Sequence, residues 1–227
     1  MEATINTYRS ASAINSSMAR VYQHTGLAIL VSMIVSYLIG TSPELLQFFF
    51  TGITKWIVIF APLVAVIGIS IALNANPPKS IAQIMLYGFA ALMGLSFSMI
   101  FAVYQLGSIF TAFMGASILF GVMSIYGYFT KTSLDSVGKF MFVGLIAIVI
   151  ASIVNLFIGS SVFAMVISAL AIIIFLGLTA YDTQRIREMV SLDRDSGSLE
   201  VQGALSLYIN FINIFLSLLQ LFGDKKE

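Results

Sequence analysis

Long intervals without a single Lys, Arg, Asp or Glu set the terms for this chain: 23 residues between Arg20 and Glu44, 23 between Lys55 and Lys79, 51 from Ser80 to Thr130, 42 from Phe140 to Tyr181 and 23 from Val201 to Gly223. The hydrocarbon core of a bilayer is about 30 Å thick and solvates no ion, so a spanning helix takes about 20 residues free of unpaired charge. Each short interval therefore holds one crossing. The 51-residue interval holds two, joined near Gln105, Leu106, Gly107 and Ser108, and the 42-residue interval holds two more, joined at the turn signal Gly159, Ser160 and Ser161. The count is seven. Between the second and third crossings the run Asn74, Ala75, Asn76, Pro77, Pro78, Lys79 supplies the stop, because two prolines cannot continue a helical hydrogen-bond ladder. Unpaired backbone groups are costly in lipid, so runs this long and apolar are helices, and the short alternating segments of a β-barrel are not seen. The expectation is an all-α integral membrane protein: a polar segment over 1–20, a seven-transmembrane-helix domain over 21–223 and a short tail over 224–227.

Composition agrees and narrows the function. With 59% hydrophobic and 9% charged residues and a mean hydropathy of +1.00, the chain has too few charges to cover a water-facing surface, since a globular domain is about a quarter charged. There is no cysteine, which removes disulfides, thiol catalysis and thiolate metal sites. A net charge of +1, one Trp and one His leave no footprint for nucleic acid and little material for a zinc site. No Walker motif, nucleotide loop, catalytic triad or His-Glu metal helix occurs, so no enzyme is expected. No cleavable leader is read before the first crossing, which then serves as an uncleaved anchor. Seven crossings put the termini on opposite sides. One face then holds Arg9, Arg20, Lys79, Lys131, Lys139, Arg185, Arg187 and Arg194, and the other Lys55, Lys225 and Lys226. Eight against three places the N-terminus in the cytoplasm and the C-terminus outside.

Chemistry is sought where polar groups interrupt this pattern. Asp182 directly follows the apolar run Val162 to Tyr181, while the other nine acidic residues fall in terminal segments or loops. A carboxylate at that depth marks a functional site by default; the alternative is an interfacial ion pair with Arg185, one turn on. On the last helix Ser206, Asn210, Asn213, Ser217 and Gln220 are spaced by four, three, four and three residues, one polar stripe facing either a bundle interior or neighbouring helices to which it merely hydrogen-bonds. If Asp182 ends the sixth helix and the seventh re-enters near Gly203, Asn210 lies about two turns inside the same leaflet and the two can meet. Such a pair could bind a cation in transit or, protonated, close a latch. Asn155 joins a polar interior or caps its helix. His24 reads as an interfacial side chain, Ala112 with Ala116 and Gly94 with Ser98 as close-approach pairs, and Phe48, Phe49, Phe50 and Trp56 as interfacial or apolar packing.

At Gly177 to Gln184, GLTAYDTQ, and Gly203 to Gly223, GALSLYINFINIFLSLLQLFG, with Asn155 in IVNLFIG, the chain resembles the Bax inhibitor-1 family over its whole length. Its short loops are most like the bacterial, YccA-type branch of the inner membrane. The resemblance implies a seven-helix bundle around a central C-terminal helix and a pH-responsive calcium leak controlled by two buried aspartates. The first falls on Asp182. At the second this chain carries Asn210, and where the family has an arginine near the end of the second helix it reads Asn76, Pro77, Pro78, with Lys79 close by. Two carboxylates in one site share a proton because both cannot ionise freely; with Asn210 that coupling is absent, so a gate here is expected to respond to pH less steeply or over a lower range. Asp182 alone is a weak metal ligand, since calcium prefers six to eight oxygens, and no cofactor is expected beyond transient Ca²⁺. The partner in every reading is the lipid bilayer. A different function class also follows from the resemblance: regulation of the membrane-anchored AAA protease FtsH through the polar segment Met1 to Arg20.

Overall fold

A computed structural model describes residues 9–192 and 197–226. Its helices are α1 (Ala11–Gly40), α2 (Pro43–Phe50), α3 (Thr54–Asn74), α4 (Lys79–Phe97), α5 (Met99–Val103), α6 (Leu106–Phe129), α7 (Asp135–Ile158), α8 (Ser161–Leu192) and α9 (Gly197–Phe222). Among the described residues, seven helical stretches are long and apolar enough to cross a membrane, with α4 and α5 together making the third. The fold is an all-α membrane bundle, and the joins lie at the predicted breakers. Pro78 precedes α4, Gln105 precedes α6, and Gly159 ends α7 in the left-handed region at φ 67°, where a residue without a Cβ is least strained. Helix α2 is unanticipated. Ser42 caps it through a 3.5 Å contact with the Leu45 amide, and none of its residues is buried.

Backbone groups freed inside the spans are recaptured by side chains. Pro62 lies inside α3 and has no N–H to give the Val58 carbonyl, four residues back. Ser96 of α4 donates its hydroxyl to that carbonyl at 2.6 Å, as lipid requires of any broken ladder. On the other flank of α4, Ser32 of α1 donates to the Ala90 carbonyl at 2.7 Å, and a Cβ at Gly94 would collide with the Ser32 backbone. Small residues here set how closely α1 and α4 approach.

The chain forms two compact units, one from residues up to Ser98 with Arg185–Ser206, the other from Met99–Gln184 with Leu207 onward. In the second unit the tail folds back on the α5–α6 join. Lys226 donates its backbone N–H to the Val103 carbonyl at 2.8 Å and its ammonium to the Phe101 carbonyl at 2.7 Å, and Gln105 donates to the Asp224 carbonyl at 3.0 Å. These contacts satisfy the open carbonyls at the end of α5 with a cation. They also put the third join and the end of the seventh span on one face, as alternating crossings demand. In the last span half of the apolar stretch is buried, against 6% in Asp135–Ile158. Replacing Ser96 by Ala should lower stability by about 1 kcal/mol, measured by SDS unfolding of the purified protein. The loss should shrink when Pro62→Ala restores the missing N–H; an equal loss in both backgrounds would show that the Val58 carbonyl is not what Ser96 serves.

Candidate functional site

Asp182 and Asn210 do meet. Asn210 Nδ2 donates to Asp182 Oδ2 at 2.7 Å, with Asn210 4% exposed and Asp182 half-buried. The distance is at the short end for N–H···O, as expected for a carboxylate acceptor. How they meet differs from the sequence expectation. Helix α8 does not end at Asp182: Thr183–Leu192 continue it, so Asp182 lies about 15 Å before its last residue. Helix α9 begins at Gly197 rather than near Gly203, which puts Asn210 about 20 Å from its start. Arg185, Arg187 and Glu188 are therefore helical residues, not a loop.

Three further contacts fix this stretch of α8. A Cβ at Gly127 of α6 would run into the Ala180 carbonyl, and one at Gly138 of α7 would press into the Tyr181 ring at 2.6 Å. Helices on both flanks thus sit as close as backbone allows. Gln184, 8% exposed, then clasps the α6–α7 connection: its Oε1 accepts from the Leu134 amide at 2.8 Å and its Nε2 donates to the Thr132 carbonyl at 3.0 Å. Leu134 is the N-cap of α7 and offers no capping side chain of its own, so Gln184 serves that helix end from outside. Asp182 is two residues, about 3 Å along α8, from the side chain that holds the loop carrying the charged Lys131.

Asn213 and Gln220 of the polar stripe bond elsewhere. Asn213 donates to the Ile209 carbonyl of its own helix at 2.8 Å, and the exposed Gln220 accepts from Ser168 at 2.7 Å. Ser217 is buried and Ser206 half-buried. Asn155 acts locally, its Oδ1 accepting from the Ser160 amide at 3.2 Å in the turn after α7. Beyond Asn210 the helix presents Phe211, whose ring meets Phe113 and Phe120 edge-on at 5.5 and 5.7 Å; the pair has an apolar aromatic floor. Among the described residues no group of three His, Cys, Asp or Glu side chains comes together that could hold a metal ion. Asp182 and Asn210 offer few oxygens to a cation beside the six to eight that calcium prefers.

In the other unit stands a carboxylate that the sequence reading placed in a loop. Glu200 lies in the first turn of α9, 6% exposed, with Arg20 of α1 at 2.7 Å and Lys79 of α4 at 3.1 Å. The signal existed: Glu200 abuts the last charge-free interval as Asp182 abuts the one before. His24 is buried too. It is 8% exposed, with Nδ1 2.7 Å from the Tyr87 hydroxyl.

Comparison with known proteins gives these positions a context. The family described as inhibitor of apoptosis-promoting Bax1 matches residues 14–227. The inner membrane protein YbhL of Escherichia coli K12 is 37% identical over 215 residues, 92% of each chain. A protein of Rickettsia prowazekii is 36% identical over 92% of this chain and 90% of its own, and a membrane protein of Streptococcus pyogenes 34% identical over 92% and 93%. For the clasp, Gln184→Ala removes two hydrogen bonds from the loop backbone, each contributing about 1 kcal/mol. In limited digestion, trypsin should cut after the exposed Lys131 about tenfold faster than in the parent protein. An unchanged rate would mean that the loop is held by other contacts.

Proposed function

The chain belongs to the Bax inhibitor-1 family as a multi-pass membrane protein, and from that premise we propose that it is a pH-responsive cation leak of the inner membrane, with calcium as cargo and Asp182 as its gating acid. The observation that carries this reading is the 2.7 Å hydrogen bond from Asn210 to Asp182. An ionisable group inside a spanning helix is costly and is kept where it works. Here an amide donates to it and orients the carboxylate, and protonating Asp182 changes the charge at that place by one. The apolar floor of Phe211, Phe113 and Phe120 closes the path behind the pair. A cation arriving at Asp182 competes with Asn210 for the carboxylate oxygens, and separating α8 from α9 opens the way. The inner-membrane assignment extends the printed name of the Escherichia coli relative to this chain. The cytoplasmic N-terminus rests on the Lys and Arg excess on that face, which would put Asp182 near the cytoplasmic mouth.

One acid per gate also predicts the steepness. A single carboxylate takes up one proton, whereas two in contact titrate as a coupled pair with separated steps. Calcium flux in proteoliposomes between pH 5 and pH 8 tests the reading. The parent protein should show a pH response no steeper than one proton; Asp182→Asn should abolish that response; Asn210→Asp should restore the second carboxylate and broaden or steepen it. A parent protein that passes no calcium, or an Asp182→Asn protein with the parent's pH profile, would sink the proposal.

A further inference from the structure

The one imidazole of the chain occupies a place that the Asp182 gate does not use. His24 lies on α1 with its ring against α4: Nδ1 is 2.7 Å from the Tyr87 hydroxyl and Nε2 is 3.4 Å from Gln83 Nε2. One turn back along α1 is Arg20, and one turn back from Gln83 along α4 is Lys79. Residues four apart share a helix face, so Arg20 and His24 on one helix oppose Lys79, Gln83 and Tyr87 on the other. Across the end of both files stands Glu200 of α9, accepting from Arg20 and from Lys79 with its two oxygens. The groups that face the imidazole are therefore Arg20 on its own helix, Lys79 and the Tyr87 hydroxyl on α4, and Glu200 on α9.

The hydrogen bonds accept both charge states of the ring. A neutral imidazole has one N–H; with the Gln83 amide nitrogen donating to Nε2, the proton sits on Nδ1 and is donated to Tyr87. In the charged ring both nitrogens donate. Gln83 then turns its carbonyl oxygen inward and Tyr87 goes on accepting, neither of which moves the backbone. What changes is the electrostatics. A third positive charge appears one turn from Arg20 and across from the file headed by Lys79, where the facing carboxylate already has both oxygens engaged and the imidazole itself is 8% exposed.

We propose that His24 is a proton-binding site separate from Asp182, and that protonating it releases the Arg20–Glu200–Lys79 latch that ties the first turns of α4 and α9 to α1. The geometry makes the latch cooperative: Gly197 leaves room for the stem of Lys79, whose side chain a Cβ there would meet at 2.6 Å, and Ser17 accepts from both Arg9 and Arg20 at 3.0 Å, holding Arg20 in reach. The absence of cysteine allows spin labels on Ser16→Cys and Ser80→Cys, both exposed, in the full-length protein in nanodiscs. The single histidine makes imidazole ¹⁵N resonances unambiguous in the same sample. As pH falls, the α1–α4 spacing should lengthen by roughly 2 Å or more, the scale of helix shifts in switching proteins, with the midpoint of the imidazole titration. His24→Gln, which keeps a hydrogen-bonding side chain but takes no proton, should hold the short spacing throughout. Glu200→Gln should show the long spacing at every pH. Different midpoints, an imidazole that never titrates in the folded protein, a spacing change that survives His24→Gln, or a short spacing in Glu200→Gln would each overturn the proposal. None of these readouts depends on calcium flux, so failure of the Asp182 gate would leave them standing.

Discussion

A peptide group facing hydrocarbon without a partner costs on the order of several kcal/mol, and the fold is shaped around avoiding that penalty. Straight helix satisfies it automatically, so the informative places are where helix stops or breaks. At Pro62 the orphaned Val58 carbonyl is met by Ser96 from the neighbouring helix. At the end of α5 the carbonyls of Phe101 and Val103 are met by Lys226. At the α6–α7 connection the backbone of Thr132 and Leu134 is met by Gln184. In each case one side chain or tail residue closes a gap that water would close in a soluble protein, and in each case two separate segments become tied together.

The same constraint explains what could be read from sequence. Charge-free intervals mark where lipid is, and the joins at Pro77–Pro78, Gln105 and Gly159 followed from them because a chain can leave the helix only where something else takes its hydrogen bonds. Intervals do not mark where helix ends. Helices α8 and α9 run on through Arg185, Arg187, Glu188 and Glu200, since charge is no obstacle to a helix once it has reached water or an ion pair. Helix α2 escaped notice because eight residues carry too little periodicity to separate a short helix from an apolar loop. At the candidate site the meeting of Asp182 with Asn210 was legible from spacing, whereas Gln184, two residues on, was not: its role depends on the loop that passes it. In the stripe of Asn and Ser, Asn213 turns back to its own helix, a local bond that spacing alone does not reveal.

The carboxylates of Glu200 and Asp182 differ in the groups that donate to them. Glu200 sits between a guanidinium and an ammonium, and its charge is matched twice over by groups from two other helices. Asp182 accepts a short hydrogen bond from an amide. A carboxylate matched by two cations fastens the helix ends that carry them. Helix α9 carries both Glu200 and Asn210, ten residues and about 15 Å apart.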